Sequence, residues 1–147
     1  MAIITPTLTL TSNAATAGTN PGPLSIALSL SATDDITVTT VKAANITVST
    51  TAASLFTDAL QTEGDTAGTH GSFIYFKNTS PADHDVYIGF EASGATAAEM
   101  QAAGAATRLG TLKQNEFAFF PYDFAGDITI DAENSSATLE YFLFSRT

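Results

Sequence analysis

The feature that most constrains this chain is a period-two alternation of apolar and small polar residues, which recurs along most of its length. From Leu24 to Ser31 it runs without a fault: Leu24, Ile26, Leu28 and Leu30 alternate with Ser25, Ala27, Ser29 and Ser31. Thr7 to Thr11 reads Thr-Leu-Thr-Leu-Thr. A turn at Thr33-Asp34-Asp35 leads into Ile36 to Val41, and a second at Ala44-Asn45 leads into Ile46 to Thr50. Successive side chains on a strand point to opposite faces, so this spacing buries one face and wets the other, which helical spacing does not do.

The chain is also lopsided. Of its fourteen aromatic residues only Phe56 precedes Gly71; Phe73, Tyr75, Phe76, Tyr87, Phe90, Phe117, Phe119, Phe120, Tyr122, Phe124, Tyr141, Phe142 and Phe144 all follow it. The second half therefore carries the bulk that fills an interior, and the Thr/Ser/Ala-rich first half relies on that half or on a neighbouring subunit. Ser72 to Asn78 and Val86 to Ala92 read as a hairpin whose longer loop holds Pro81, a residue unsuited to a central ladder. The Ala-rich stretch Ser93 to Thr107 predicts one short helix, from about residue 96 to 103 and ended by Gly104. A turn at Lys113 to Glu116 precedes the strand beginning at Phe117, which Pro121 limits. Asp127 to Ala132 and Ala137 to Ser145 are two last strands joined across residues 133–136. Many short strands with at most one helix predict an all-β fold, an antiparallel β-sandwich or jelly roll.

Residues 1–23 stand apart from an expected single domain at 24–147. Gly18, Pro21, Gly22 and Pro23 make a tether of the segment that follows Thr11. Ile3, Ile4, Pro6, Leu8 and Leu10 then form a candidate interface: an extended N-terminal arm that pairs with another chain's edge, or the first strand of the same sandwich.

At 147 residues the chain has one domain's length, and five Lys and Arg against fifteen Asp and Glu give a net charge of -10. That balance argues against nucleic acid, whose phosphates need clustered cations. With no cysteine there is no disulfide framework, thiolate metal site or cysteine nucleophile. The N-terminus shows no signal-peptide pattern and no segment has the length to span a membrane, so synthesis on the cytoplasmic side is expected. Sequons at Asn45, Asn78 and Asn134 are then chance products of a Ser/Thr-rich chain.

Catalytic chemistry is sparse. His70 and His84 lie in polar loop sequence, and Asp83-His84-Asp85 reads as a metal cluster, as a base with its orienting carboxylate, or as a solvated loop; adjacent residues point apart, which favours the last. Asp123, Asp127, Asp131 and Glu133 form an acidic ladder. Asp127, Thr129 and Asp131 would share one strand face, either holding Ca²⁺ or making a solvent-facing edge with Ile128 and Ile130 turned inward. Phe119 and Phe120 must face opposite sides, so one is a candidate for exposure. With Tyr87 and Tyr122 they are a glycan-stacking platform or, as ordinary packing, covered by the other sheet and by a neighbouring subunit. No catalytic, cofactor or metal site is expected.

Phe73-Ile-Tyr-Phe-Lys-Asn, Val86-Tyr-Ile-Gly-Phe, Leu112-Lys-Gln-Asn-Glu-Phe-Ala and Leu139-Glu-Tyr-Phe-Leu-Phe, with the Thr/Ala/Ser-rich opening, resemble small virion structural proteins of tailed bacteriophages, of the capsid decoration or cement type. The resemblance implies a non-enzymatic protein of the virion, made in the host cytoplasm. It would bind the major capsid protein or another virion subunit on the shell exterior, often as a homo-trimer whose N-terminal arm clamps neighbours. A tail, connector or fibre-base component is the alternative within that class, and a carbohydrate-binding sandwich module is the alternative from another.

Overall fold

The computed structural model describes residues 2–4, 7–11, 25–29, 36–56, 72–92, 96–102, 105–122 and 126–146. All regular structure among them is β, as the alternation predicts. The chain forms two compact units, Met1–Val38 and Thr39–Thr147. The expected arm boundary at residues 23 and 24 lies outside the described residues.

In the first unit β1 (Ala2–Ile4) pairs antiparallel with the start of β4 (Ile36–Val48), in the register Ala2↔Val38 and Ile4↔Ile36. There β2 (Thr7–Thr11) also pairs antiparallel with β3 (Ser25–Ser29), with Leu8 opposite Leu28 and Leu10 opposite Ile26. The turn expected at Ala44-Asn45 is absent, and β4 runs through it. The reason is visible in the burial: half-buried Ala44 and Ile46 and buried Val48 alternate with exposed Ala43, Asn45 and Thr47, so the pleat never breaks step.

The second unit is two four-stranded layers. One has the order β4, β11 (Ala137–Arg146), β6 (Ser72–Asn78), β9 (Phe117–Tyr122). The other has the order β5 (Ala53–Phe56), β10 (Gly126–Ala132), β7 (Val86–Ala92), β8 (Arg108–Leu112). The inner faces share one core that draws Val48, Ile74, Phe76, Leu139 and Leu143 from the first layer and Phe56, Val86, Ile88, Ile128 and Ile130 from the second. Phe56 meets Tyr141 edge-on at 5.0 Å between ring centroids, and Phe90 meets Phe120 at 6.2 Å, both across the layers.

The predicted hairpin of β6 and β7 does not form, because the two strands lie in different sheets. Asn78, fully buried at the end of β6, shows why. Its Nδ2 donates to the carbonyls of His84 (2.7 Å) and Leu112 (2.8 Å), and its Oδ1 accepts from the Ser80 N–H (2.9 Å). Its backbone adds two bonds to the 113–116 turn, donating to Glu116 O and accepting from the Asn115 N–H. One side chain thus holds the 79–85 connection across the sandwich and fastens the end of β8 to it. In that turn Asn115 takes the left-handed conformation (φ 63°), which Asn tolerates better than most residues, and the Lys113 N–H donates to Glu116 Oε2.

The predicted helix is also absent: residues 96–102 contain no helical turn. Their donors go to the sheet instead. The Met100 N–H reaches Asp131 Oδ2 (3.0 Å), the Ala98 N–H reaches Glu91 Oε1 (3.2 Å), and the Gln101 amide reaches the carbonyls of Thr50 (2.7 Å) and Ala132 (3.1 Å). Local alanine propensity loses to these longer-range bonds.

Candidate interaction surface

The strands β11, β6 and β9 each alternate, and their register turns the alternation into rows. Tyr141, Phe76 and Ala118 stand side by side on the inner face, as do Leu143, Ile74 and Phe120. The residues between them face outward, and they too are aromatic. Phe142, Tyr75 and Phe119 form one outer row; Phe144, Phe73 and Pro121 form the next; Glu140, Lys77 and Phe117 form the third.

Six rings therefore stand on the outer surface of this layer, and each is stacked on another. Phe73 lies on Phe119 at 5.4 Å, Tyr75 on Phe117 at 6.1 Å, and Phe142 on Phe144 at 6.0 Å. Edge contacts from Tyr75 to Phe142 and from Phe119 to Phe144 join the pairs into one patch. Phe117 is 58% exposed and Phe119 36%, while the other four rings are half-buried. At about 200 Å² for a full ring, these exposures sum to roughly 300–450 Å² of aromatic surface open to water, within the range of the largest apolar patch on a monomer, which is often a functional one. Burial and then the Glu140 carboxylate push the Tyr75 hydroxyl above its ordinary pKa.

Phe119 and Phe120 do part to opposite sides, Phe120 packing inward against Phe76 and Phe90. Tyr87 is no platform. It is buried beneath the Arg108 guanidinium, 4.7 Å from its ring centroid, and its hydroxyl is raised in pKa by burial and then by a hydrogen-bonded Glu133. The signal for the wider patch lay in Phe73/Tyr75 and Phe142/Phe144, aromatic at alternate positions beside equally apolar neighbours. Such strands bury both faces or leave an apolar one bare.

The acidic ladder is a different object from the one expected. Ile128 and Ile130 do point inward, but Asp127, Thr129 and Asp131 are buried, not solvent-facing. Residues 96–102 cover Thr129 and Asp131. Asp131 accepts from the Met100 N–H and from Gln101 Nε2 (3.3 Å), Asp127 accepts from the Ser54 hydroxyl (3.3 Å), and Met100 itself is fully buried. Gly89 lies under this segment, where a Cβ would come 2.6 Å from Thr107 O and clash with the Met100 sulfur. Arg108 Nη1 donates to Met100 O (3.1 Å) and completes the strap. These carboxylates are therefore spent on protein donors, and among the described residues no group of three or more His, Cys, Asp or Glu is gathered to hold a metal.

His84 is tied to the 133–136 loop, its Nδ1 lying 2.9 Å from Ser136 O and 3.1 Å from Ser135 Oγ. Asp83 is exposed, so the triplet does not converge on an ion. Asn78, one of the three sequons, is buried with its amide fully engaged, so no glycan reaches it in the folded chain.

Of the arm residues, Ile3 and Ile4 lie in β1 opposite Thr37 and Ile36, and Leu8 and Leu10 lie in β2 opposite Leu28 and Ile26; these pairings are within the chain. Leu8 is 39% exposed. Pro6, His70 and Asp123 lie outside the described residues, as does the side chain of Tyr122. An apolar cleft of about 230 Å³ opens between β8 and β9, lined by Ile88, Leu109, Leu112, Ala118 and Phe120.

No family model matches this chain, and no curated protein does. A solved structure of Bacillus endospore appendages, described as disulfide-linked pili, is similar at 19% identity and a TM-score of 0.46, over 82% of this chain and 98% of that one.

Proposed function

We propose that this chain is a non-enzymatic structural protein of a phage particle that binds and stabilises the outer surface of the capsid as a homo-oligomer. The observation that carries the reading is the outer aromatic patch of β11, β6 and β9. Six clustered rings on the wet side of a chain with net charge -10 belong to a surface that another protein covers.

The strand order supports the architecture expected for such a protein. Apart from β7 and β8, every pair of consecutive strands from β4 onward lies in opposite sheets. That supports reading the sandwich as a jelly roll, a fold used by viral capsid and lectin domains among others. Fold alone does not settle function, so the surface must decide. For a carbohydrate-binding module, sugar stacking would need open ring faces; here each ring already has one face turned onto another ring. Many weak contacts on one shell would act together, so each copy needs only modest affinity.

The test is co-sedimentation of the full chain with empty phage shells. Binding that saturates at a fixed ratio to shell subunits supports decoration. A folded protein that ignores shells but joins tail or connector assemblies moves the reading to that alternative. Deleting residues 1–23 asks whether the N-terminal segment clamps a neighbour, and undiminished shell binding by the shortened chain would exclude it.

A further inference from the structure

We propose that the occupant of the outer aromatic face is a second copy of this chain, packed on it sheet against sheet through the same face. This rests on reading that face as an assembly surface and names its partner.

Three observations lead to a second copy. The first is area. The open aromatic surface of roughly 300–450 Å² per copy would form the apolar centre of a contact whose standard size is about 800 Å² per partner. The remainder is at hand as small residues around the rings: Ala43, Asn45 and Thr47 on β4, Pro121 on β9 and Thr138 on β11, all exposed. Small margins let two sheets approach to the ~10 Å spacing at which inner-face side chains interdigitate.

The second is charge. A partner of opposite sign would be selected by a charged face, yet the three outer rows carry one Lys and one Glu, Lys77 and Glu140, placed directly opposite each other. Those three rows are neutral although the chain is at -10, so a self-contact brings no excess of one charge into its centre. The third is shape. The outer face of one antiparallel sheet packs aligned on the face of another, with side chains interdigitating, and an isologous contact uses the same patch on both copies.

Charge elsewhere on the molecule gives the contact a signature. Two copies at -10 repel at long range, and salt screens that repulsion without weakening the burial of rings. Self-association should therefore strengthen as salt is raised, opposite to a contact held by ion pairs.

The experiment is sedimentation equilibrium of the full chain across protein concentration and at low and high salt. The wild type is expected to associate, more strongly in high salt. The double variant Phe117→Ser/Phe119→Ser is expected to associate roughly a hundredfold more weakly or not at all, with unchanged far-UV circular dichroism. Should that variant fold poorly, Lys77→Glu replaces the half-buried Lys77–Glu140 pairing with like charges on the same face and should weaken association on its own. A wild type that stays monomeric at every concentration and salt overturns the proposal, as does an oligomer that neither variant weakens. Failure of the capsid reading looks different: a wild type that self-associates through this face but leaves shells alone keeps this proposal and loses the other. A monomer that coats shells does the reverse.

Discussion

Replacing Asn78 should unfasten the sandwich at one corner, and the size of the effect follows from its bonds. The side chain donates to two carbonyls at 2.7 and 2.8 Å and accepts from one N–H at 2.9 Å, from a position fully out of water. Each bond contributes about 1 kcal/mol net, and a buried group left without its partner costs a further 1–3 kcal/mol. Asn78→Ala should therefore lose about 3–5 kcal/mol, a large share of the 5–15 kcal/mol typical of a whole domain. At about 2–4 °C per kcal/mol for this chain length, the melting temperature should fall by about 6–20 °C. Asn78→Leu keeps the branched heavy-atom skeleton, leaves no cavity and removes the bonds, so it separates hydrogen bonding from cavity formation and should behave much like Asn78→Ala. Asn78→Asp retains the oxygen that Ser80 needs but sets the other against two carbonyl oxygens. That disfavours the charged form in the folded state and raises the folded pKa of the new carboxyl. The variant's stability should be greatest below the ordinary carboxylate pKa and be lost as pH rises through the folded value. Thermal and urea unfolding of the four proteins checks this. If both Asn78→Ala and Asn78→Leu melt within about 2 °C of wild type, the argument that this amide fixes the sheet crossing is refuted.

Three further outcomes are expected. Gly89→Ala should destabilise by about 1–3 kcal/mol, because the new Cβ meets the Thr107 carbonyl and Met100, whereas Gly110→Ala, with open space around it, should fall within about 0.5 kcal/mol of wild type in the same urea titration. Asp131→Ala leaves the buried Met100 N–H without its acceptor and takes from Gln101 Nε2 one of its three, so it should cost about 2–3 kcal/mol and raise hydrogen exchange at Met100 selectively; unchanged exchange there would remove the strap's dependence on Asp131. Burial and Glu133 raise the Tyr87 pKa above 10.0, so its contribution is fully present below that pH and is lost as pH rises through the folded value. Tyr87→Phe should flatten this alkaline decline in a pH series of melting temperatures.

The elements of the second unit were largely legible because each strand carries its own alternation. Ile128 and Ile130 were readable as inward residues, and Phe119 and Phe120 as a pair that must separate. What could not be read was which strand lies beside which. The loop after Asn78 looks like a hairpin loop in one dimension, and only the carbonyls of His84 and Leu112, brought there by the fold, make it a crossing between layers. The helix failed for the same reason: alanine content is local, but the pull of Asp131 on Met100 comes from 31 residues away. Likewise Asp127, Thr129 and Asp131 share a face as their spacing requires, yet whether that face is wet depends on a segment that folds over it. The aromatic patch is a property of register. Phe142, Tyr75 and Phe119 become neighbours only when three strands align.

The strap over β10 and β7 bears on where growth stops. A sandwich with bare apolar rows on both outer surfaces can add copies to either side and lengthen without limit, the geometry of a fibre. Here Met100, Gln101 and Arg108 close one side, and Gly89 lets them lie flush against it. A back-to-back pair made through the opposite side would turn this strapped side of each sandwich outward, where a third sheet finds no rings to stack on.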